Sequence, residues 1–483
     1  MTDDKSLLRG LFLAAVNAAD PLNTIPKALP DRPDGRVLVV GAGKASARMA
    51  EIVEHKWGPC EGLVLTRYGY GRPTKGIEVV EAAHPVPDEA GAMATQRMLA
   101  LLDDLGEEDF VLALISGGAS SLLCAPRPPM TLTQKQVLHR DLLASGAPVS
   151  AMNLIRKHCS SVKGGQLAAA AYPARMLSLI VSDVAGDHIG EIGSGPTAGE
   201  AQPFGAAIAL AEDAGVTLPQ ELLEDEAGST VLCPDDPRLN RVCNRIISAP
   251  SQSLLAARRQ AEQLGLEVVS LGDAIEGEAR ETGADHARLA LDTQRGMAKG
   301  AVPVLLLSGG ECTVTGRGSG SGGPNAEYAL AAAIALQGAS GISLIACDTD
   351  GVDGSAESAG AYADSTTLER AIAAGVSAQA ALDDHDSHGF FGRLGDQIVT
   401  GPTLTNVNDF RAILVRPLSC SVKRAAKGAI RKPVFAGPSC CCPETRAAGQ
   451  SAVQLTPELP ERWGQRLMPS DAQLCWYAQF AAG

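Results

Sequence analysis

Two apolar runs in this chain end in the same tripeptide, Ser-Gly-Gly. They are FVLALISGG, residues 110–118, and LLLSGG, residues 305–310. Short apolar runs that stop at glycines are typical of buried strands in an α/β sheet. The turn after such a strand can present backbone N–H groups to an anion. Two such segments predict a protein that holds phosphate groups. The residues expected at these turns are Ser116, Gly117, Gly118, Ser308, Gly309 and Gly310.

Other apolar runs alternate with helix-like segments along the chain. In residues 36–55, RVLVVGAGKASARMAEIVEH, a strand leads through a glycine turn into a helix. Similar runs begin near residues 62, 77 and 176. Strands that alternate with helices predict βαβ units and a parallel sheet, and hence an α/β fold. The polar motifs all follow predicted strands, at the edge where open α/β sheets bind their ligands.

Composition limits the classes of function. The 483 residues are 45% hydrophobic and 20% charged, as in soluble globular proteins. The net charge of −14 argues against a nucleic-acid partner. No run reaches the roughly 18 apolar residues of a membrane span, and the first residues, MTDDKSLLRG, do not resemble a secretory signal. We therefore expect a cytoplasmic protein whose 12 cysteines are reduced.

Composition also suggests three regions. A loop-forming PDDP segment at residues 234–237 places a boundary near residue 234, so we expect one domain over residues 1–234 and another over residues 235–415. The remaining tail, residues 416–483, holds 9 Lys and Arg against 4 Asp and Glu. We predict that it is disordered. A zinc-binding cysteine cluster is less favoured there, because the spacing of paired CxxC motifs is absent.

The glycine turn GAGK ends in Lys44, at the start of a predicted helix. Backbone N–H groups and the lysine ammonium at such a place can hold a phosphate or a carboxylate. The motif is not a Walker A loop, which requires GxxxxGK[ST]. An ordinary tight turn with a surface lysine explains this motif equally well.

A basic segment and an amide-rich segment are further candidates. Asn153, Arg156 and Lys157 share a face of a predicted helix. That face suits an anionic substrate, and a solvated surface is an equal alternative. Asn406 lies in the turn GPTLTNVNDF, residues 401–410. Its amide can bind sugar-like hydroxyls, or it can cap the next element.

Carboxylates follow two of the predicted strands. Asp183 and Asp187 lie in SDVAGD, and Asp350 and Asp353 lie in DTDGVDG. Such side chains suit Mg²⁺ or a substrate hydroxyl. An EF-hand calcium loop is less favoured, because its twelfth position, counted from residue 348, is Ala359 rather than Glu.

Eight segments of the chain, in this order, resemble the glycerate 2-kinase family. They are GAGKA, HPVPDE, SGGASSLL, IRKHCSSVKGG, SDVAGD…GSGPT, SGGECTVTGRG, DTDGVDG and GPTLTNVND, and they extend over about residues 7–415. Members of that family pair an N-terminal Rossmann-like domain, built on a parallel sheet, with a C-terminal α/β domain named for the MOFRL motif. Many members are labelled hydroxypyruvate reductase. The resemblance implies ATP-dependent phosphorylation of D-glycerate at its 2-hydroxyl, in a cleft between the domains.

The resemblance also implies ATP and Mg²⁺ as cofactors. The expected partners are the small molecules D-glycerate and ATP, and neither a nucleic acid nor a membrane. Whether the protein forms a homodimer is left open. Phosphoryl transfer requires charge neutralisation and positioning rather than a covalent nucleophile. The family's catalytic lysine falls on Lys44. The predicted catalytic residues are Lys44, Arg317 and Asp183. The predicted substrate or phosphate ligands are Ser116, Gly117, Gly118, Arg156, Lys157 and Asn325. The predicted nucleotide ligands are Ser308, Gly309, Gly310 and Asn406, and the predicted metal ligands are Asp187, Asp350 and Asp353.

The chain departs from the family pattern at three positions. Pro324 replaces an arginine in the segment GGPNAE, Leu404 stands where glycine is usual, and Ala151 stands where glutamate is frequent. Two other functions therefore stay open. One is an NAD(P)H-dependent reductase of hydroxypyruvate, for which Glu61 lies near the spacing of a ribose ligand. The other is a weakened homologue that binds sugar acids or nucleotides.

Overall fold

Six parallel strands form the first sheet, in the order β3-β2-β1-β4-β5-β6. The structure is a computed structural model and describes residues 3–225, 228–316, 318–354 and 356–418. The strands are β1 (Val37–Ala42), β2 (Glu61–Arg67), β3 (Ile77–Ala82), β4 (Phe110–Ile115), β5 (Arg175–Val181) and β6 (Val242–Ser248). Their order is that of a doubly wound Rossmann sheet. The parallel sheet expected from the sequence is therefore confirmed.

The second sheet is mixed, with the order β13-β12-β11-β14-β9-β7. Only β7 and β9 pair in parallel within it, and the other neighbours are antiparallel. A two-stranded ladder of β8 and β10 lies apart from it. The strands are β7 (Glu267–Gly272), β8 (Gly277–Glu278), β9 (Val304–Gly310), β10 (Cys312–Thr313), β11 (Ile342–Asp348), β12 (Gly360–Asp364), β13 (Gln397–Ile398) and β14 (Asp409–Val415).

Helices cover both faces of each sheet. Those before β6 are α1 (Asp4–Ala19), α2 (Pro21–Ala28), α3 (Ser46–Trp57), α4 (Glu89–Leu102), α5 (Ala119–Leu122), α6 (Leu132–Ala144), α7 (Val149–His158), α8 (Gln166–Ala171), α9 (Phe204–Asp213) and α10 (Gln220–Glu224). Those after it are α11 (Pro250–Gln263), α12 (Ala279–Gly296), α13 (Pro324–Leu336), α14 (Thr367–Ala373), α15 (Ala378–Asp383) and α16 (Ser387–Leu394). Helices α2 and α3 pack on one face of the first sheet and α4 and α8 on the other.

The first helix of the chain packs on the second sheet. The side chains of Leu8, Leu11 and Phe12 are fully buried against strands β9, β11 and β14 and helix α11. The rings of Phe12 and Phe410 lie 5.7 Å apart. Leu8, Leu11 and Phe12 stand at the spacing i, i+3, i+4, which forms one face of a helix. This spacing is visible in the sequence, but it does not show which sheet the face covers.

The boundary between the two sheets lies at a different place from the domain boundary that the composition suggested. Strand β6, residues 242–248, belongs to the first sheet although it follows the expected boundary near residue 234. The limits 1–234 and 235–415 stay a prediction. Arg416 is still attached to the body, because its guanidinium lies 2.6 Å from Asp4 and its backbone N–H donates to Gly341 O. The rest of the expected tail, from residue 419, lies outside the described residues.

Candidate functional site

Turns from the two sheets meet at one cleft. Lys44 follows β1 of the first sheet, and its Nζ lies 2.5 Å from Oδ2 of Asp350, which follows β11 of the second. Asp183 follows β5, and its Oδ2 accepts a hydrogen bond of 3.2 Å from Asn406 Nδ2. Its backbone oxygen accepts another, of 3.1 Å, from Asn408 Nδ2. The structure therefore brings Lys44, Asp183, Asp350 and Asn406 together.

The first Ser-Gly-Gly turn and the GAGK turn form one unit. Lys44 N donates to Gly117 O at 2.8 Å, and Ala45 N donates to Ser116 Oγ at 3.0 Å. Gly43 has φ 140°, and a Cβ there would lie 2.0 Å from Ser116 Oγ, so only glycine fits. The fully buried Ser116 side chain holds the start of α3, and this contact fixes the place of Lys44.

Gly117 and Gly118 let neighbouring side chains pack closely against this unit. A Cβ on Gly117 would lie 2.1 Å from Asp183 Oδ2 and 2.4 Å from Asn406 Nδ2. Gly118 has φ 82°, and a Cβ there would lie 3.0 Å from the His84 ring. Any other residue would displace these groups. The absence of side chains at these two positions therefore lets Asp183, Asn406 and His84 pack against the turn.

Carboxylates around Lys44 control the charge of the cleft. Burial alone would lower the pKa of the Lys44 ammonium, but the carboxylates of Asp350 and Asp348 outweigh burial and raise it. Lys44 is therefore positively charged at neutral pH. Burial raises the pKa of Asp183 to about 6, although Lys44 opposes the shift. Burial, together with the neighbouring Asp350, raises the pKa of Asp348 well above its usual range.

Arg156 and Lys157 occupy different environments. Lys157 is buried and forms ion pairs with Glu191, at 2.8 Å, and Glu200, at 2.6 Å. Arg156 makes no ion pair in the described part of the chain, and its buried Nε has no hydrogen-bond partner there. Burial lowers the pKa of its guanidinium to about 10. Of these two cations, only Arg156 is left without an acidic partner in the described part of the chain, and so with charge for an anion.

The second Ser-Gly-Gly is not a turn. Ser308, Gly309 and Gly310 are the last residues of β9, are buried, and pair with Arg411, Phe410 and Asp409 of β14. A Cβ on Gly310 would lie 2.2 Å from Ile275 N, so neighbouring backbone already occupies that side. The expected anion-binding turn is absent here, because the antiparallel ladder continues through the tripeptide. A nucleotide-binding role for these residues stays a prediction.

The three predicted metal ligands have separate roles. Asp353 caps α13, accepting hydrogen bonds from Asn325 N at 3.0 Å and Ala326 N at 2.8 Å. Asp350 pairs with Lys44, and Asp187 lies in a 3₁₀ turn at φ 56°. Within the described residues no group of three or more His, Cys, Asp or Glu side chains is arranged to hold a metal ion. Mg²⁺ commonly takes one or two carboxylates and completes its shell with phosphate and water. The carboxylate of Asp350, which lies beside Lys44 in the cleft, fits that requirement.

Asn325 and Arg317 are the remaining predicted site residues, and the structure describes only Asn325. Asn325 is buried, and its Nδ2 donates to Asp409 Oδ1 at 2.7 Å, so it holds the start of α13 in place. Pro324 is the first residue of that helix, where the missing N–H of proline is tolerated. Arg317 lies outside the described residues.

Sequence reasoning missed Arg67 and Tyr70 at the site. It also left His84, which lies in the motif HPVPDE, out of the predicted site residues. Arg67 is the last residue of β2. Tyr70 lies in the turn that follows, and its backbone N–H donates to Arg67 O at 3.0 Å. His84 lies against Gly118; burial, Lys44 and Arg67 lower its pKa well below the usual range, so its ring is neutral. Their position after β2 and β3, at the ligand edge of the sheet, was the signal that could have found all three.

Comparison with known proteins agrees with this arrangement. Residues 304–409 match the model of the MOFRL family, and residues 7–224 match a family described as a domain of unknown function, DUF4147. A D-glycerate 2-kinase of Thermotoga maritima is 35% identical over 84% of this chain and 97% of its own length. This chain belongs to the MOFRL/DUF4147 glycerate kinase family.

A further relative and a solved structure extend the comparison, and the relative carries a different name. A protein of Agrobacterium vitis named "Putative hydroxypyruvate reductase" is 47% identical over 85% of this chain and 94% of its own length. The crystal structure of a Thermotoga maritima glycerate kinase superposes with a TM-score of 0.74 and 34% identity, covering 85% of this chain and 99% of that one. The chain therefore has the glycerate kinase fold. In the described residues no helix is long and apolar enough to cross a membrane.

Proposed function

We propose that this protein is a glycerate 2-kinase that transfers the terminal phosphoryl group of ATP to the 2-hydroxyl of D-glycerate. The main support is one contact, the ion pair of Lys44 and Asp350 across the cleft between the two sheets. In this pair the carboxylate of Asp350 holds the ammonium of Lys44 at the ligand edge of the Rossmann-type sheet. Charge neutralisation and positioning are what phosphoryl transfer requires of a protein.

Asp183 supplies a base for the acceptor hydroxyl. With a pKa raised to about 6, its carboxylate is ionised at pH 7 yet more basic than an ordinary aspartate. A catalytic base works best when its pKa lies near the working pH. The hydrogen bonds that Asp183 accepts from Asn406 and Asn408 fix its orientation.

Arg156 binds the carboxylate of glycerate in this proposal. It is the predicted substrate ligand whose charge has no acidic partner in the described part of the chain. A guanidinium binds a carboxylate through two parallel hydrogen bonds, and a bound anion would remove the free-energy cost of burying an unpaired cation.

Asp350 is the residue that would hold Mg²⁺ with a nucleotide, since Asp183 serves as the base. The ion supplies neutralisation of phosphate charge when bound. Lys44 would then hold the transferring phosphoryl group near Asp183, which packs against Gly117.

An assay of ADP release tests the proposal. Purified protein with ATP, Mg²⁺ and D-glycerate should release ADP continuously, and L-glycerate should support a much lower rate. If no ADP is formed above the rate without glycerate, the protein is not a glycerate kinase. The same preparation with NADH or NADPH and hydroxypyruvate tests the second candidate.

A hydroxypyruvate reductase is the second candidate, because two relatives, 47% and 43% identical, carry that name. The structure weakens its main support in the sequence. Glu61 is the first residue of β2 and pairs with Arg36 at 2.8 Å. It therefore lies at the edge of the sheet opposite the ligand site, where it cannot hold a ribose.

A further inference from the structure

The hydroxyl of Tyr70 is buried at the cleft without a partner. The residue is 3% exposed, and its hydroxyl makes no hydrogen bond within the described part of the chain. A buried hydroxyl that lacks a partner destabilises the folded state. Such a group in a folded protein calls for an explanation, and a missing ligand is one.

The backbone places Tyr70 beside the Lys44–Asp350 pair. Thr66, at the end of β2, lies next to the GAGK turn, with its Oγ1 donating to Lys44 O at 3.4 Å. Tyr70 follows four residues later. Its ring packs under the Arg67 guanidinium, 5.6 Å from the ring centroid. The carboxylate of Asp350 and the charges of Arg67 and Lys44 all act on its hydroxyl.

Arg67 strengthens the site for an anion. No carboxylate of the described residues forms an ion pair with it. Its guanidinium lies over the Tyr70 ring, and its charge acts on the Tyr70 hydroxyl. A cation and a hydroxyl donor on one short turn form a pair suited to an oxyanion.

We propose that the Tyr70 hydroxyl donates a hydrogen bond to an oxyanion of the bound substrate, beside Lys44, and so is a further substrate-binding residue. The inference rests on the proposed function for the identity of that substrate. The oxyanion belongs either to a phosphate of ATP or to the carboxylate of D-glycerate. Burial, followed by the nearby Asp350, raises the pKa of Tyr70 to about 12. The hydroxyl therefore keeps its proton at neutral pH and acts as a donor.

The variant Tyr70→Phe removes only the hydroxyl and tests the proposal. Tyr68→Phe is the matched control, because Tyr68 lies on the same turn but is 53% exposed and donates to Asp88 at 2.7 Å. Without ligand, Tyr70→Phe should melt at the wild-type temperature or above it, since no hydrogen bond is lost. With ligand, it should bind one substrate more weakly by on the order of 10- to 100-fold, the usual effect of losing a hydrogen bond to a charged group.

Calorimetric titrations of ATP–Mg²⁺ and of D-glycerate, each on wild type and both variants, give the readout. Weaker binding of ATP alone assigns the oxyanion to phosphate, and weaker binding of glycerate alone assigns it to carboxylate. Unchanged affinity of Tyr70→Phe for both ligands overturns the proposal. If the unliganded variant also melts at a lower temperature, the hydroxyl has a structural role instead. These titrations do not require turnover. A wild-type protein that binds both ligands but forms no ADP would contradict the proposed function and leave the role of Tyr70 intact.

Discussion

Lys44 and Asp350 are 306 positions apart in sequence, yet Lys44 Nζ lies 2.5 Å from Asp350 Oδ2. The contact joins the turn after β1 of the first sheet to the turn after β11 of the second. The Asp350 side chain is 1% exposed and the Lys44 side chain 13% exposed. In a pair this far from water, each partner compensates the charge of the other. We propose that the same ammonium also binds a phosphate that enters the cleft.

Lys44→Ala should lower kcat by about 10²–10³-fold, because one charge-stabilising group is lost from the transition state. It should also lower the stability of the protein, since Asp350 is left buried beside Asp348. Adding Asp350→Asn should restore the stability without restoring kcat. Steady-state kinetics and denaturant titration measure the two effects, with the exposed Lys299→Ala as control. A near wild-type kcat for Lys44→Ala would refute the catalytic role.

Arg156→Met and Lys157→Met should have opposite effects. Arg156 has no acidic partner in the described part of the chain, so its loss should raise KM for D-glycerate by roughly 10-fold or more and leave the melting temperature unchanged or higher. Lys157 pairs with Glu191 and Glu200, so its loss should destabilise the protein by about 3 kcal/mol. Equal losses of stability in both variants would show that Arg156 is also structural.

Asp183 should produce a pH dependence that can be measured in activity and in stability. Its folded-state pKa of about 6 lies above the ordinary value near 4. Between these values the folded chain retains a proton that the unfolded chain has released, so this group lowers the free energy of unfolding as pH rises. Activity should instead rise through about pH 6, as the base becomes ionised.

Asp183→Asn separates the two effects. The variant should lose the rise in kcat/KM near pH 6, together with most of its activity. Its free energy of unfolding should exceed that of wild type by more at pH 7.5 than at pH 4, by roughly 1–2 kcal/mol after allowance for solvent screening. A pH–rate profile of wild type without a limb near pH 6 would exclude Asp183 as the base.

Leu404 should store backbone strain beside the site. Its φ of 63° lies in the left-handed region, which favours glycine. Leu404→Gly should therefore be more stable than Leu404→Ala by about 1 kcal/mol, since alanine removes the same side chain but keeps the strain. Denaturation midpoints of the two variants decide it. Equal midpoints would mean that the turn before Asn406 relaxes without glycine.

The sequence predicts those parts of the site that depend on a single strand and its turn. The segment around Lys44 and the one ending in Gly118 both read as a strand followed by a glycine turn, and both were placed correctly. The second Ser-Gly-Gly has the same local pattern, but β14 pairs with it as far as Gly310. That partner lies about 100 residues away, so local sequence could not reveal it.

Charge in a sequence does not show which residue pairs with which. Arg156 and Lys157 are adjacent and were predicted to share one role, but only Lys157 meets glutamates in the fold. Asp353 and Asp350 lie in one short motif, yet Asp353 caps a helix and Asp350 faces the cleft. Side-chain partners from distant segments decide these roles, and no spacing rule within a motif encodes them.

Proton-coupled phosphorus NMR of the reaction of ATP and D-glycerate tests the central proposal most directly. Transfer to the 2-hydroxyl should convert the terminal phosphate of ATP into an ester signal split into a doublet, because the ester carbon carries one hydrogen. Transfer to the 3-hydroxyl would give a triplet, from two hydrogens, and would contradict the 2-kinase assignment. An unchanged ATP spectrum, from a preparation that oxidises NADH with hydroxypyruvate, would contradict the kinase account altogether.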